Sequence, residues 1–240
     1  MRLSTACRTA VTTFVDNPST PQTSRPRGVF FDLDGTLIDH FHTLYRCYEY
    51  ALGTLGLPVP SLETIRRSVG GSMEVTLGKL IPEAHIPRAA ALWRAKFDEI
   101  HLEGVEPLPG AEWIVRAARA AGLRTGVFTN KLGHHSRGIL RAIGLADDLD
   151  LVLGAGDTPY RKPQREFVQI ALERLGTTAD ESIMIGDSPY DLDTARAVGM
   201  RCALVTTGTH TAGELRAAGA DPAMIHPDLH ALGRAVFGFA

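Results

Sequence analysis

The chain has 240 residues, 44% of them hydrophobic and 22% charged, with a formal net charge of −2. That length supplies a full core without staples, and the charge balance lacks the basic excess of a nucleic-acid binder. No apolar run approaches the roughly 20 residues that span a bilayer, so the expected partner is a small molecule, not nucleic acid or membrane.

Residues 1–27 are rich in Ser, Thr, Pro and Arg and hold one acid, Asp16. They read as a disordered tail, or as an organellar transit peptide. Next, the run Val29-Phe30-Phe31 reads as a buried strand, followed at once by the loop Asp32-Leu33-Asp34-Gly35-Thr36. In open parallel sheets ligands bind beyond the carboxyl ends of the strands, which is where this loop places two carboxylates. Taken alone the pentapeptide reads equally well as a solvated turn. It does not match a calcium loop, because Gly35 is fourth and strand-like residues precede it.

Helical periodicity then runs over 45–55, 62–69, 75–80 and 89–102 with no strand between, which predicts an all-helical insertion over 44–106. From Gly110 on, helices (111–121, 134–143, 164–175, 190–198, 212–218) alternate with apolar runs (125–128, 151–153, 182–185, 202–205). This alternation predicts a doubly wound α/β core, with helices on both faces of a parallel sheet, formed by 28–43 and 107–240. The insertion leaves just after the Asp loop and should sit over the strand ends as a lid.

Three further segments follow strands in the same way. Thr129-Asn130-Lys131 offers a hydroxyl and backbone N–H groups at the end of one strand. Lys162 precedes Pro163, which reads as the first residue of a helix. Gly186-Asp187-Ser188-Pro189-Tyr190-Asp191 returns carboxylates to a strand end, where magnesium finds the oxygen ligands it prefers. Singly, these read as helix caps or a surface lysine. Cys7, Cys47 and Cys202 form no C-x-x-C pair and suit a reducing, cytoplasmic compartment.

Together, in this order, the four segments resemble the haloacid dehalogenase superfamily of phosphohydrolases, and the helical insertion resembles that family's C1 cap. The resemblance implies that Asp32 is the nucleophile and Asp34 the general acid and base. It implies that Thr129, Asn130 and Lys162 hold the phosphoryl group. Asp32, the Asp34 carbonyl and Asp187 would bind Mg²⁺, and Asp191 would support the site through water or by pairing with Lys162. The Thr-Asn-Lys segment and Arg67-Ser68-Val69-Gly70 are most similar to phosphoglycolate phosphatases, which implies 2-phosphoglycolate as substrate, for a monomer or homodimer. The alternatives are a nucleotidase, a sugar phosphatase or phosphomutase, and a silent phosphate- and Mg²⁺-binding module. Leu44 stands where mutases of this family carry histidine; nearby His40 and His42 keep that alternative open but read first as solvated residues at the cap hinge, and His134 and His135 lie close enough to flank the cleft but read first as surface residues. Of Arg66 and Arg67, at most one would reach the cleft.

Overall fold

The computed structural model describes residues 25–240; the segment 1–24, which carries most of the expected tail, lies outside the described residues. In chain order the first elements are strand β1 (Gly28–Phe31), the short β2 (Ile38–Asp39) and helices α1 (Phe41–Thr54), α2 (Leu62–Ser68), α3 (Met73–Leu80) and α4 (Ile86–Ile100). Then come β3 (Glu106–Pro107), α5 (Ala111–Ala120), β4 (Arg124–Leu132), α6 (Gly133–Ala142), β5 (Leu151–Ala155) and α7 (Arg165–Leu175). The chain ends with β6 (Ser182–Gly186), α8 (Pro189–Arg196), β7 (Arg201–Val205), α9 (Ala212–Ala217), β8 (Ile225–His226) and α10 (Leu229–Leu232).

Six of these strands form one sheet in the order β5-β4-β1-β6-β7-β8, with every pair parallel. β1 is buried at all four positions because side chains alternate between two covered faces. Val29 and Phe31 pack with Ile114 and Val115 of α5 and Ile139 of α6. Phe30 packs on the other side with Phe128, and with Phe167 and Ala171 of α7. Arg27 already joins the ladder: its N–H donates to Glu181 O and its carbonyl accepts from Arg124 N–H, both at 2.7 Å.

Helices α1 to α4 carry a separate apolar cluster built on Tyr48, Leu52, Ile65, Leu77, Trp93 and Phe97. They leave and rejoin the sheet through an antiparallel pair of two-residue strands, Ile38 opposite Pro107 and Asp39 opposite Glu106. This pair was invisible to periodicity, being too short to alternate. α1 starts at Phe41, earlier than the pattern suggests, because Asp39 Oδ1 accepts the Phe41 N–H at 3.1 Å and Phe41 is buried. β4 also outruns expectation. It continues through Thr129-Asn130-Lys131 as strand with a register irregularity between Phe128 and Leu132, so that motif lies in the last residues of an interior strand and not in a strand-to-helix turn.

Candidate active site

The segments that follow β1, β5 and β6 converge on one buried group of charges. Asp32 follows β1 directly, and its N–H donates to Ile185 O at 2.8 Å, so the sheet itself fixes the residue. The Lys162 ammonium donates to Asp32 Oδ1 at 2.8 Å and to Asp191 Oδ1 at 2.7 Å. Asp191 spends its second oxygen on the turn that opens α8, accepting from Asp187 N–H, Ser188 N–H and Ser188 Oγ at 3.2, 3.1 and 2.7 Å. Of the two supporting roles open to Asp191, the geometry supplies the partner of Lys162. Asp187 Oδ2 accepts from the Thr209 N–H and hydroxyl at 2.7 and 2.8 Å.

Asp32, Asp187 and Asp191 each bring an oxygen within 4.8 Å of the others. Three buried carboxylates therefore face a single ammonium. Burial pushes Asp32 up to about 6 against the pull of Lys162, and burial with the charges of Asp191 and Asp32 pushes Asp187 up to about 8. Burial opposes the Lys162 charge, yet Asp191 and Asp32 hold the ammonium well above the usual lysine value. The surplus negative charge and the all-oxygen donor set fit a hard divalent cation.

These shifts set a pH dependence. Carboxylates raised in the folded state stabilise it below their unfolded pKa, and that contribution is lost as pH rises through about 6 for Asp32 and about 8 for Asp187. Metal binding needs the ionised forms. The rise in Tm caused by Mg²⁺ is therefore expected to be larger at about pH 8 than at about pH 5. Thermal scans that gave the same increment at both would contradict this account of the cluster.

Asp34 sits apart from this group. Both of its oxygens accept from Lys131 Nζ, at 2.9 and 2.7 Å, and that ammonium lies 4.9 Å from the centre of the Phe97 ring of α4. Thr129 is buried, and its Oγ1 accepts the Lys131 N–H at 3.2 Å. Asn130 does not offer its side chain to the cluster. Its Oδ1 accepts Lys162 N–H at 2.9 Å, and its Nδ2 donates to Lys162 O at 3.2 Å and Gly70 O at 3.1 Å. Its amide thus acts on the site through the Lys162 main chain. Pro163 precedes the helix without beginning it, since α7 starts at Arg165.

The haloacid dehalogenase-like hydrolase family model matches residues 29–205, which contain all four motifs. The chain belongs to this family. A probable phosphatase, IndB, of Dickeya dadantii is 33% identical over 79% of this chain and 85% of its own length. A phosphoglycolate phosphatase of Rhodospirillum rubrum is 31% identical over 76% of this chain and 80% of its own. Among solved structures, one from Clostridium acetobutylicum described as a predicted phosphatase superposes with a TM-score of 0.82 at 26% identity, covering 90% of this chain and 100% of that one.

In this hydrolase the Asp loop and the loop after β7 approach so closely that only glycine fits between them. Gly35 has φ +83°, and a Cβ there would lie 2.8 Å from both Asp187 Oδ2 and Gly208 Cα. Thr209, in the same loop, is not recognisable from its neighbours in the chain: a lone Thr after a strand carries no signal until Asp187 lies against it. Removing its hydroxyl with Thr209→Val is expected to weaken Mg²⁺ binding by about 10- to 100-fold, measured by calorimetry, with the fold retained. Unchanged affinity would show that Thr209 does not orient the metal-facing carboxylate.

The hydrolase's helical module closes a cleft of about 260 Å³ over Asp34, with Leu44, Tyr48, Trp93 and Phe97 above and Asn130 and Lys131 below. Neither adjacent arginine enters it. Arg66 donates to Thr207 O and Gly208 O at 2.9 and 3.1 Å, tying the module to the loop after β7, while Arg67 pairs with Glu63 of α2 and Glu214 of α9. Two histidines expected in solvent are buried. His40 is wholly enclosed, and its imidazole is lowered to about 3 by burial, with Lys131 adding to the effect. His135 lines the cleft and meets Asp98 of α4 at 2.7 Å. Phe97 packs against both rings, which explains the burial of each.

Proposed function

We propose that the protein hydrolyses a small phosphate monoester, 2-phosphoglycolate foremost, through an aspartyl-phosphate on Asp32. The observation that carries this reading is the divided environment of the loop's two acids. Asp32 lies among Lys162, Asp187 and Asp191, whereas Asp34 faces the cleft beside Lys131. A nucleophile and an acid–base group need that separation.

Asp32 forms the new bond to phosphorus as the ester oxygen departs with a proton from Asp34. Asp34 then takes a proton from water, whose oxygen attacks the aspartyl-phosphate, releasing phosphate and restoring Asp32. Lys162 and the Thr129 hydroxyl hold the phosphoryl oxygens, and Asn130 holds Lys162. The Asp32 and Asp187 carboxylates and the Asp34 carbonyl would hold Mg²⁺. When bound, the ion supplies the charge that lets an anionic nucleophile approach a phosphate dianion.

A 260 Å³ cleft suits a small ester better than a nucleotide. Leu44, buried in the cleft wall, favours hydrolysis over the mutase alternative, since it offers no proton-transfer group. Among the described residues no helix is long and apolar enough to cross a membrane. Among the described residues Cys47 and Cys202 form no disulfide, which supports a cytoplasmic setting.

The test is phosphate release, with and without Mg²⁺, from 2-phosphoglycolate, sugar phosphates, nucleotides and pyrophosphate. A metal-dependent preference for 2-phosphoglycolate supports the proposal. Preference for another ester reassigns the substrate, and phosphoryl transfer within a sugar without release would indicate a mutase.

A further inference from the structure

Lys131 presents a puzzle that the reaction above does not resolve. Its side chain is only 5% exposed, and burying an ammonium costs several kcal/mol unless it is paired. Its partner among the described residues is Asp34, which receives it on both oxygens. Yet the proposed chemistry asks Asp34 to turn an oxygen toward the leaving group. A lysine that holds both oxygens opposes that turn unless something else takes its charge.

The other cations of the cleft are differently placed. Arg94 is paired with Glu74 of α3, and Arg161 lies exposed at the rim. Lys131 alone among them stands on the cleft floor beside the group that would meet the ester oxygen. Its other face is the Phe97 ring, contributed by α4, so core and helical module build its surroundings together. An apolar, aromatic wall beside a single desolvated cation is a receptor for one compact anion.

We infer that Lys131 receives a second anionic group of the substrate, a carboxylate carried on the carbon attached to the ester oxygen, and that its docking frees one Asp34 oxygen to face the leaving group. This rests on the phosphatase reading and gives its substrate a chemical class: short phosphorylated 2-hydroxy acids. A carboxylate so placed is two bonds from the ester oxygen. Binding the phosphoryl group at Asp32 and Lys162 would bring it to the lysine that already touches Asp34. Neutral alcohols would leave Asp34 held.

The experiment compares two esters and two analogues across three proteins: wild type, Lys131→Met and Lys131→Arg. Hydrolysis is measured on 2-phosphoglycolate and on ethyl phosphate, which lacks only the carboxylate. The kcat/KM ratio of the first to the second is expected to fall about 10- to 100-fold in Lys131→Met, the range of a charge-assisted hydrogen bond, and to recover partly in Lys131→Arg. A ratio near one in wild type, or equal loss on both esters, would overturn the inference and leave Lys131 as a positioning residue for Asp34.

Binding is measured separately, by calorimetry with Mg²⁺, using 3-phosphonopropionate and propylphosphonate, which cannot be hydrolysed. Wild type should prefer the carboxylated analogue by about tenfold or more, and Lys131→Met should lose that preference. Equal binding of the two by wild type overturns the inference. Absence of phosphate release from any ester would sink the phosphatase reading, while this binding preference would still report on Lys131.

Discussion

Replacing Asp32 with Asn is expected to abolish phosphate release, by at least about 10⁴-fold, without lowering the Tm. The two halves of this expectation have different origins. Activity is lost because an amide cannot form the aspartyl-phosphate. Stability is kept because the cluster already holds three buried carboxylates against one ammonium, so removing a negative charge relieves the imbalance. The amide oxygen can still accept the hydrogen bond that Asp32 Oδ1 receives from Lys162 at 2.8 Å. Burial also raises Asp32 to about 6, the mark of a site where the ionised form is costly. Phosphate-release assays and thermal scans on the same preparation check both halves. Wild-type turnover in the variant would place the nucleophile elsewhere, and a fall in Tm would show that the Asp32 charge is structural.

Much of this arrangement is legible in the chain because strand ends are local events. Val29-Phe30-Phe31 predicts a buried strand from adjacent residues alone, and the sheet then delivers Asp32 to its carboxyl end. Asp187 and Lys162 are readable for the same reason. What the sequence hides are the environments that distant segments impose. Lys131 has no role of its own within the Thr-Asn-Lys segment until Asp34 and Phe97 close around it from other parts of the chain. Thr209 becomes informative only when β7 brings its loop against Asp187. His40 and His135 carry a polar label in the sequence, yet α4 lays Phe97 against both. β8 and α10, of two and four residues, are too short to show a period, and pairing with β7 and packing against the core define them. The arginine pair, of which at most one could reach the cleft, is held outside it by partners the sequence does not show. Periodicity allows one of two neighbours to face inward, but Arg66 is taken up by two carbonyls of the loop after β7 and Arg67 by Glu63 and Glu214.

The most destabilising single change in the cluster should be Lys162→Met. The methionine fills a similar volume, so packing is largely kept, while the ammonium that pairs with Asp32 and Asp191 disappears. Breaking a buried pair by removing one partner leaves uncompensated charge and costs about 3 to 5 kcal/mol. Asp191 cannot swing away to find water, because its other oxygen is held by three donors of the α8 turn. The remaining escape is for Asp32, which burial already pushes up to about 6, to take up a proton. The deficit should therefore shrink as pH falls from about 8 to about 5, opposite to the usual expectation that losing an ion pair hurts most in acid. Mg²⁺ should restore part of the stability at the higher pH by replacing the lost positive charge. Phosphate release should remain at least about 100-fold below wild type, since a metal at Asp32 and Asp187 does not reproduce a donor to the phosphoryl oxygens. Urea unfolding at both pH values, with and without the ion, reads the whole pattern. A variant as stable as wild type at pH 8 without metal would mean that Lys162 does not offset the negative charge of this cluster, and the charge account of this site would fall with it.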